Sequence, residues 1–401
     1  MNNKLYFSRL PSNWHVDSLD CFADVIDPHP SHRAPQEVEN GFPFVGIGDL
    51  DYYGNASFEK ARHVGLDIIE EHEMNYDIDD YSIGYAKMGN TIGKVVSLPN
   101  RKDNRYAISP ALSIINPKKE IDPFFLRCVV ESYSFWKQVN GKITGSTRPS
   151  IGIQQLRKIL IPIPPREVQT RIGYIWRSIF DKIKVNTKIN EILLQQAGAV
   201  FDKYYYASSN QQLFTSLINV LGGGTPKTGN PDFWDGSIPF FTPKDVGAPY
   251  TFQTEKYITE SGLDHCNSRL YPKNTTFVTA RGTVGKVSLA GVPMAMNQSC
   301  YALASETIDP LLVYFYVLKA VVSLKHKASG AVFDAIVTRD FDIETINVLT
   351  DEDAQSAVSV IAPIMEEIHN NIEENMRLSK LRDALLPKLM SGELDVSELD
   401  I

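Results

Sequence analysis

A chain of 401 residues with 43% hydrophobic and 22% charged side chains is long enough for two domains of ordinary size with buried cores. Its longest apolar run, Leu311 to Leu318, is far too short to span a bilayer, and no apolar stretch backs Lys4 near the start, so a soluble, cytoplasmic protein is expected. Cys21, Cys128, Cys266 and Cys300 lie far apart without a Cys-x-x-Cys pair, which argues against a zinc site or a disulfide framework.

In chain order, the pattern predicts a first domain over residues 1–163, a long helix over 164–206, a second domain over 207–350, a second long helix over 351–392 and a tail over 393–401. The net charge of −8 is unevenly spread, at −2, +3, −1 and −8 for residues 1–160, 161–206, 207–350 and 351–401. The acidity thus gathers at the C-terminal end, where Glu366, Glu367, Glu373 and Glu374 are expected on a solvated helix face. The two globular parts are near neutral, which suits modest affinity for a polyanion and help from a partner.

The halves repeat each other. Phe42-Pro43-Phe44 with Asp49 corresponds to Ile238-Pro239-Phe240 with Asp245, and Thr91-Ile92-Gly93-Lys94-Val95 to Thr283-Val284-Gly285-Lys286-Val287, at offsets of 196 and 192. Asp122-Pro123-Phe124-Phe125 corresponds to Asp309-Pro310-Leu311-Leu312, and Gly145 to Gly330, at 187 and 185. A period this long means domain duplication, because solenoid repeats are far shorter. Within each copy, short β-type runs such as Thr276-Phe277-Val278-Thr279 stand among Gly and Pro turns, with one helix near Pro310 to Lys327. Each copy is therefore an α+β domain.

Each copy ends in an apolar segment, a helix start at Pro164-Pro165 or Thr350-Asp351, and a long helix. Trp176, Ile179, Ile183, Asn186, Asn190, Leu193, Ala197, Val200 and Tyr204 follow the 3,4 spacing of a coiled-coil seam, as do Ile361, Ile364, Ile368, Asn371, Asn375, Leu378, Arg382 and Leu385. Shifted by 185 the seams coincide, with two asparagines at each centre. Asparagine in an apolar seam weakens packing but sets register, because a slip leaves its amide buried without a partner. Two antiparallel helices of about 40 residues, about 60 Å long, would make a spacer.

These residues resemble a known family, the specificity subunits of type I restriction-modification systems. The resemblance is carried by Gly222-Gly223-Gly224-Thr225-Pro226-Lys227, Ile238-Pro239-Phe240-Phe241-Thr242-Pro243-Lys244-Asp245, Arg281-Gly282-Thr283-Val284-Gly285 and Asn297-Gln298, which look like the opening half of a target-recognition domain. Leu10-Pro11-Ser12-Asn13-Trp14 looks like a domain start. Gly145-Ser146-Thr147-Arg148-Pro149-Ser150 and Ile161-Pro162-Ile163-Pro164-Pro165 are similar to the family's passage into its first spacer helix, and Leu381-Arg382-Asp383-Ala384-Leu385-Leu386-Pro387-Lys388-Leu389-Met390 to its closing segment. The resemblance implies that each domain reads half of an asymmetric bipartite sequence in double-stranded DNA, that the helices set the gap, and that methylation subunits, two of them, dock on the helices and through them restriction subunits. The chain itself would be non-catalytic and bind no cofactor, with S-adenosylmethionine, ATP and Mg used by other subunits. The first copy departs from the pattern at Phe44-Val45-Gly46-Ile47-Gly48-Asp49, and its Lys87-Met88-Gly89-Asn90 stands where Thr279-Ala280-Arg281-Gly282 stands in the second. Gly330-Ala331-Val332-Phe333-Asp334 replaces Gly-Ser-Thr-Arg-Pro in the second copy.

Arg pairs bidentately with guanine, Asn or Gln with adenine, and Lys mainly with phosphate. The DNA-binding candidates are therefore Lys142, Thr147 and Arg148 in the first domain, and Lys244, Arg281, Lys286, Asn297 and Gln298 in the second. Competing structural roles are plain: Lys94 and Lys286 follow Gly in a hairpin turn, and Asn297 can cap local backbone. The run Gly222 to Gly224 lacks phosphate-loop spacing and reads as a loop. His29-Pro30-Ser31-His32 lacks metal-site support, and Asp77, Asp79 and Asp80 lack the glycine and terminal Glu of a calcium loop. The rival classes are a methyltransferase of unfamiliar motif, the specificity subunit of a methyltransferase-only or fused restriction system, and a coiled-coil scaffold that does not touch DNA.

Overall fold

The computed structural model describes residues 7, 10–29, 34–247, 249–327 and 335–399. Gly330, with the rest of the Gly330-to-Asp334 stretch, lies outside the described residues, as do Pro30, Ser31 and His32. The chain divides into two compact units, Met1–Lys184 with Arg377–Ile401, and Val185–Met376. Each unit holds one globular domain together with a stretch of both long helices, Arg166–Ala207 and Asp351–Ser391, so neither helix forms a unit of its own.

In the first unit, the four-stranded antiparallel sheet runs Ala23–Ile26, Leu112–Pro117, Ile83–Ala86, Val95–Ser97. A second sheet places Phe42–Val45 between antiparallel Arg62–Val64 and parallel Ala107–Ile108. His15–Ser18 pairs with Leu160–Ile163, tying the domain's start to its end. The second unit repeats this plan. Its sheet runs Asn219–Gly222, Cys300–Ala304, Thr276–Thr279, Val287–Ala290, with Tyr250–Thr251 added at the edge. Trp234–Phe241 lies between Lys256–Ile258 and Ala295–Met296, and Gln211–Leu213 pairs with Thr345–Asn347. Thr276–Thr279 and Ile83–Ala86 are buried on both faces, which explains why neither reads as a clean alternation.

Asp122 and Asp309 hold equivalent positions at helix starts, their carboxylates accepting from the N–H groups of Phe124 and Leu311. The second unit's helix then runs unbroken over Pro310–Lys327, whereas the first unit's breaks at Ser132, extended at φ −69°, ψ 148°, which ends Pro123–Glu131 and caps Tyr133–Asn140.

The cores form where the helices meet the domains. In the first unit, Trp176 stacks on Phe180 at 4.6 Å within a cluster that includes Phe125, Phe135, Leu389 and Met390. In the second, Phe201 stacks on Phe315 at 5.4 Å among Tyr316, Ile361, Met365 and Ile368. Truncating such a side chain costs about 3–5 kcal/mol.

The seam is most explicit in the second unit. Asn371 Nδ2 donates to Asn190 Oδ1 at 2.9 Å, and Asn186 Nδ2 to Asn375 Oδ1 at 2.9 Å. The helix stretches in this unit are therefore antiparallel, and the repeat exchanges one asparagine pair for the other. Asn186, Asn190 and Ile368 are buried in this unit, while Leu193, Ile364 and Asn375 are half-buried; in the first unit Ile183 is buried and Leu378 half-buried. Ile179 is buried in the first unit. Two expectations are corrected. Glu374 is not on a solvated face, because its carboxylate accepts a second bond from Asn186 Nδ2 at 2.7 Å, whereas Glu366 and Glu367 are exposed as expected, Glu366 beside Lys273 at 3.0 Å. Arg382, expected in the apolar seam, lies over the Tyr52 ring at 5.1 Å.

The first unit also buries two histidines, with ring centroids 4.5 Å apart. Burial, then the neighbouring His29 and the Arg101 cation, push His72 down to about 3, and burial lowers His29 as well. Both folded values lie below the unfolded one, so their contribution is intact above about pH 6.5 and diminishes as pH falls below it, for His72 down to about 3. The first unit should therefore lose up to about 1.4 kcal/mol per pH unit through that window for each such group. Denaturation between pH 7 and 4 checks this: His72→Leu should flatten the slope, and an unchanged slope would contradict the assignment.

Candidate nucleic-acid interface

The turns that carry the candidate residues are built alike in the two domains. Asp49 Oδ2 accepts from Gly46 N–H and Asp245 Oδ2 from Thr242 N–H, each at 2.8 Å, closing matching turns after Phe42–Val45 and Trp234–Phe241. Asn297 N–H donates to Phe241 O at 2.9 Å, as Ser109 N–H does to Val45 O at 2.8 Å. Asn297 Oδ1 accepts from Ser299 N–H at 3.0 Å, as Ser109 Oγ accepts from Ala111 N–H at 3.3 Å. The expected backbone cap at Asn297 is therefore present, and it uses only the amide oxygen.

The hairpin turns correspond with one correction. Lys87 N–H binds Ala111 O at 2.9 Å and Ala280 N–H binds Ser299 O at 2.8 Å, while Lys87 O and Ala280 O accept from Ile151 and Ile336 at 2.9 Å. Lys87 thus matches Ala280, Met88 matches Arg281, and Gly89 matches Gly282, with φ of +81° at both glycines. These residues therefore correspond one position later than the sequence pattern aligns them, because the first domain has an extra residue between Gly89 and its second left-handed glycine, Gly93. Lys87 is buried and its Nζ lies 2.6 Å from Asp27 Oδ1, so it supports the turn from beneath.

In the second domain four candidates are brought together. Thr283 Oγ1 donates to Pro243 O at 3.2 Å, Arg281 N–H to Ser299 O at 3.3 Å, and the Thr225 hydroxyl to Gln298 Oε1. Lys244, Arg281 and Gln298 are exposed and Asn297 half-exposed on these joined turns. Lys286 is exposed farther along the hairpin, its N–H bound to Thr279 Oγ1 at 3.0 Å. The glycine run serves packing: a Cβ on Gly223 would lie 2.2 Å from Asn297 O, and one on Gly224 2.5 Å from Asn267 N. A cleft beside the cluster is lined by Thr242, Lys244, Glu255, Lys256 and Asn297. Glu255 and Lys256 escaped the sequence reading; the strand register that sets Lys256 opposite Phe240, as Arg62 is set opposite Phe44, is the signal that finds them.

In the first domain, Thr144 and Ser150 exchange two backbone bonds of 2.9 Å at the base of a loop carrying exposed Thr147 and Arg148. Gly145 opens the loop at φ +87°, where a Cβ would lie 2.8 Å from Arg148 O. Pro149 O accepts from Gly89 N–H at 2.8 Å, setting this loop against the hairpin turn. Lys142 is half-buried at the end of Tyr133–Asn140, apart from the loop tip. At the remaining turn positions the first domain has Gly48, Met88, Ser109 and Pro110 where the second has Lys244, Arg281, Asn297 and Gln298.

Among the described residues no group of three or more His, Cys, Asp or Glu could hold a metal ion, and no helix is long and apolar enough to cross a membrane.

Residues 11–195 and 212–377 match the family model described as the type I restriction modification DNA specificity domain. The HindI specificity subunit of Haemophilus influenzae is 22% identical over 395 residues, covering 77% of this chain and 86% of that one. The putative MjaX specificity subunit of Methanocaldococcus jannaschii is 21% identical, covering 98% and 96%. The MjaIX specificity subunit of the same organism is 29% identical over 168 residues, 40% of this chain and 39% of its own length. The crystal structure of a type I restriction-modification S subunit from M. genitalium shares the fold, with a TM-score of 0.55 at 13% identity over 94% of this chain and 96% of that one. With two copies of the domain covering most of its length, the chain belongs to the family of type I restriction-modification specificity subunits.

Proposed function

We propose that this chain recognises an asymmetric, bipartite sequence in double-stranded DNA, one half-site through each domain, and is not itself an enzyme. The observation that carries the reading is a repeated scaffold whose matched turns present different side chains: Lys244, Arg281, Asn297 and Gln298 in one domain, Gly48, Met88, Ser109 and Pro110 in the other. Matched supports with different reading groups suit two unlike half-sites. Arg148 and Thr147 supply polar contacts in the first domain, assisted by Lys142, and Lys286 a phosphate contact in the second. Residues 164–206 and 351–392 act as the spacer that sets the gap, and two methylation subunits, with restriction subunits beyond them, dock on it. The sequence lacks an Asn-Pro-Pro-Tyr element, a Ser-His-Asp signature and a glycine-rich methyl-donor site, in keeping with S-adenosylmethionine, ATP and Mg being used by the other subunits.

Arg148→Ala and Arg281→Ala, each made in the full chain, should each reduce modification of the target about tenfold or more while association with the methylation subunit persists. Undiminished modification in both variants would leave a scaffold role in its place.

A further inference from the structure

We infer that Glu255 is a specificity-determining residue of the second domain, accepting a hydrogen bond from the exocyclic amino group of adenine or cytosine. The inference rests on the DNA-reading function proposed above and assigns a base class to one position of one half-site.

Three observations carry it. First, Glu255 lies in the cleft with Lys244, Lys256 and Asn297, at the edge of the turn cluster. Its side chain is 59% exposed, and its backbone is fixed by a 2.7 Å bond from its N–H to Asp245 Oδ1, the carboxylate that also closes the 242–245 turn. The glutamate is thus presented from a pinned backbone to solvent.

Second, the shared scaffold does not need it. By strand register Glu255 corresponds to Ala61 and its partner Lys244 to Gly48, yet the first domain builds the same turn around Asp49 without either charge. The Lys244–Glu255 contact, 3.6 Å between groups 79% and 59% exposed, adds little to stability.

Third, a carboxylate facing a polyanion is repulsive unless it meets a donor. In the major groove the base donors are adenine N6 and cytosine N4, whereas guanine O6 and thymine O4 are acceptors that a carboxylate rejects. Lys244 offsets the negative charge toward nearby phosphates. Asn297, with Oδ1 committed to Ser299 N–H, offers its amide nitrogen to an acceptor on a neighbouring base. The cleft therefore pairs an acceptor from Glu255 with a donor from Asn297.

The test sequences adenine methylation in a methylation-free host expressing the full chain with its methylation subunit, comparing the parent chain with Glu255→Ala and Glu255→Gln. The parent should write a split motif with adenine or cytosine at one position of one half-site. Glu255→Ala should relax that position by about tenfold in discrimination, keeping the other positions and the other half-site. Glu255→Gln, whose amide still accepts but also donates, should admit guanine or thymine there while preserving the exposed surface. A parent motif that both variants reproduce with undiminished stringency would overturn the inference and leave the function standing. A parent chain that writes no motif while bound to its methylation subunit would overturn both. Variant solubility and association guard against misfolding, and the second substitution, isosteric at an exposed site, keeps the result readable if the first fails to accumulate.

Discussion

Glu131→Leu is expected to destabilise the first unit by about 3–5 kcal/mol, because it strands a buried guanidinium. Arg127 Nε lies 2.6 Å from Glu131 Oε1, with side chains 5% and 10% exposed. The other carboxylate oxygen accepts from the Tyr52 hydroxyl at 2.8 Å and from Trp176 Nε1–H at 3.1 Å, joining the domain to the helix Arg166–Ala207. Two cations also lie over the Tyr52 ring, Arg127 at 5.0 Å and Arg382 at 5.1 Å from its centroid. Removing the carboxylate leaves one charge and two donors unpaired together. Arg127→Met combined with Glu131→Leu should recover much of the loss, since a buried pair replaced as a whole costs little. Trp14, Trp136 and Trp176 belong to this unit, so tryptophan fluorescence during chemical denaturation in a Trp234→Phe background follows it selectively. A loss below about 1 kcal/mol would show that the pair is a surface-like contact.

Asp27→Ala is expected to cost about 3–5 kcal/mol at neutral pH by orphaning Lys87, whose side chain is 2% exposed beneath the hairpin turn. Burial holds Lys87 below its ordinary value near 10.5, and Asp27 opposes that shift. The folded value is the lower of the two, so between it and 10.5 the unfolded chain binds more protons and stability rises with pH. Without Asp27 the folded value drops further and the rising window extends toward neutrality. Denaturation of the variant between pH 7 and 10 should therefore show a steeper gain than the parent chain. Parallel curves would mean that Lys87 reaches another partner. Because Lys87 carries the backbone that holds Met88 and Gly89, the same substitution should weaken modification more than it disturbs the second unit.

Much of the architecture was legible because it is periodic and repeated. The 3,4 spacing along Arg166–Ala207 and Asp351–Ser391, with matched asparagine pairs, survives any local irregularity, and the helix Pro310–Lys327 is apolar throughout its first turns. The turns were legible as turns but not in register. The extra residue between Gly89 and Gly93 has no local signature; the backbone bonds of Lys87 and Ala280 and the pairing of Met88 with Ser150, set against that of Arg281 with Ala335, place it. Glu374 reads as one member of an acidic run; its bond to Asn186 depends on the opposite helix, 188 residues away in sequence. The same holds for Lys87 and Asp27, an ion pair made by two residues that each follow a different strand, and for Glu255, which enters the candidate site through the register of Lys256–Ile258 with Trp234–Phe241. Periodicity is a property of a segment, whereas these contacts belong to pairs of segments.

Single-molecule sequencing of adenine methylation in a methylation-free host, expressing the chain with and without its methylation subunit, asks whether this chain selects a split DNA target for modification by another subunit. The expected result is an asymmetric bipartite motif, methylated only when both proteins are present. Absence of any motif with both proteins soluble and associated would contradict it.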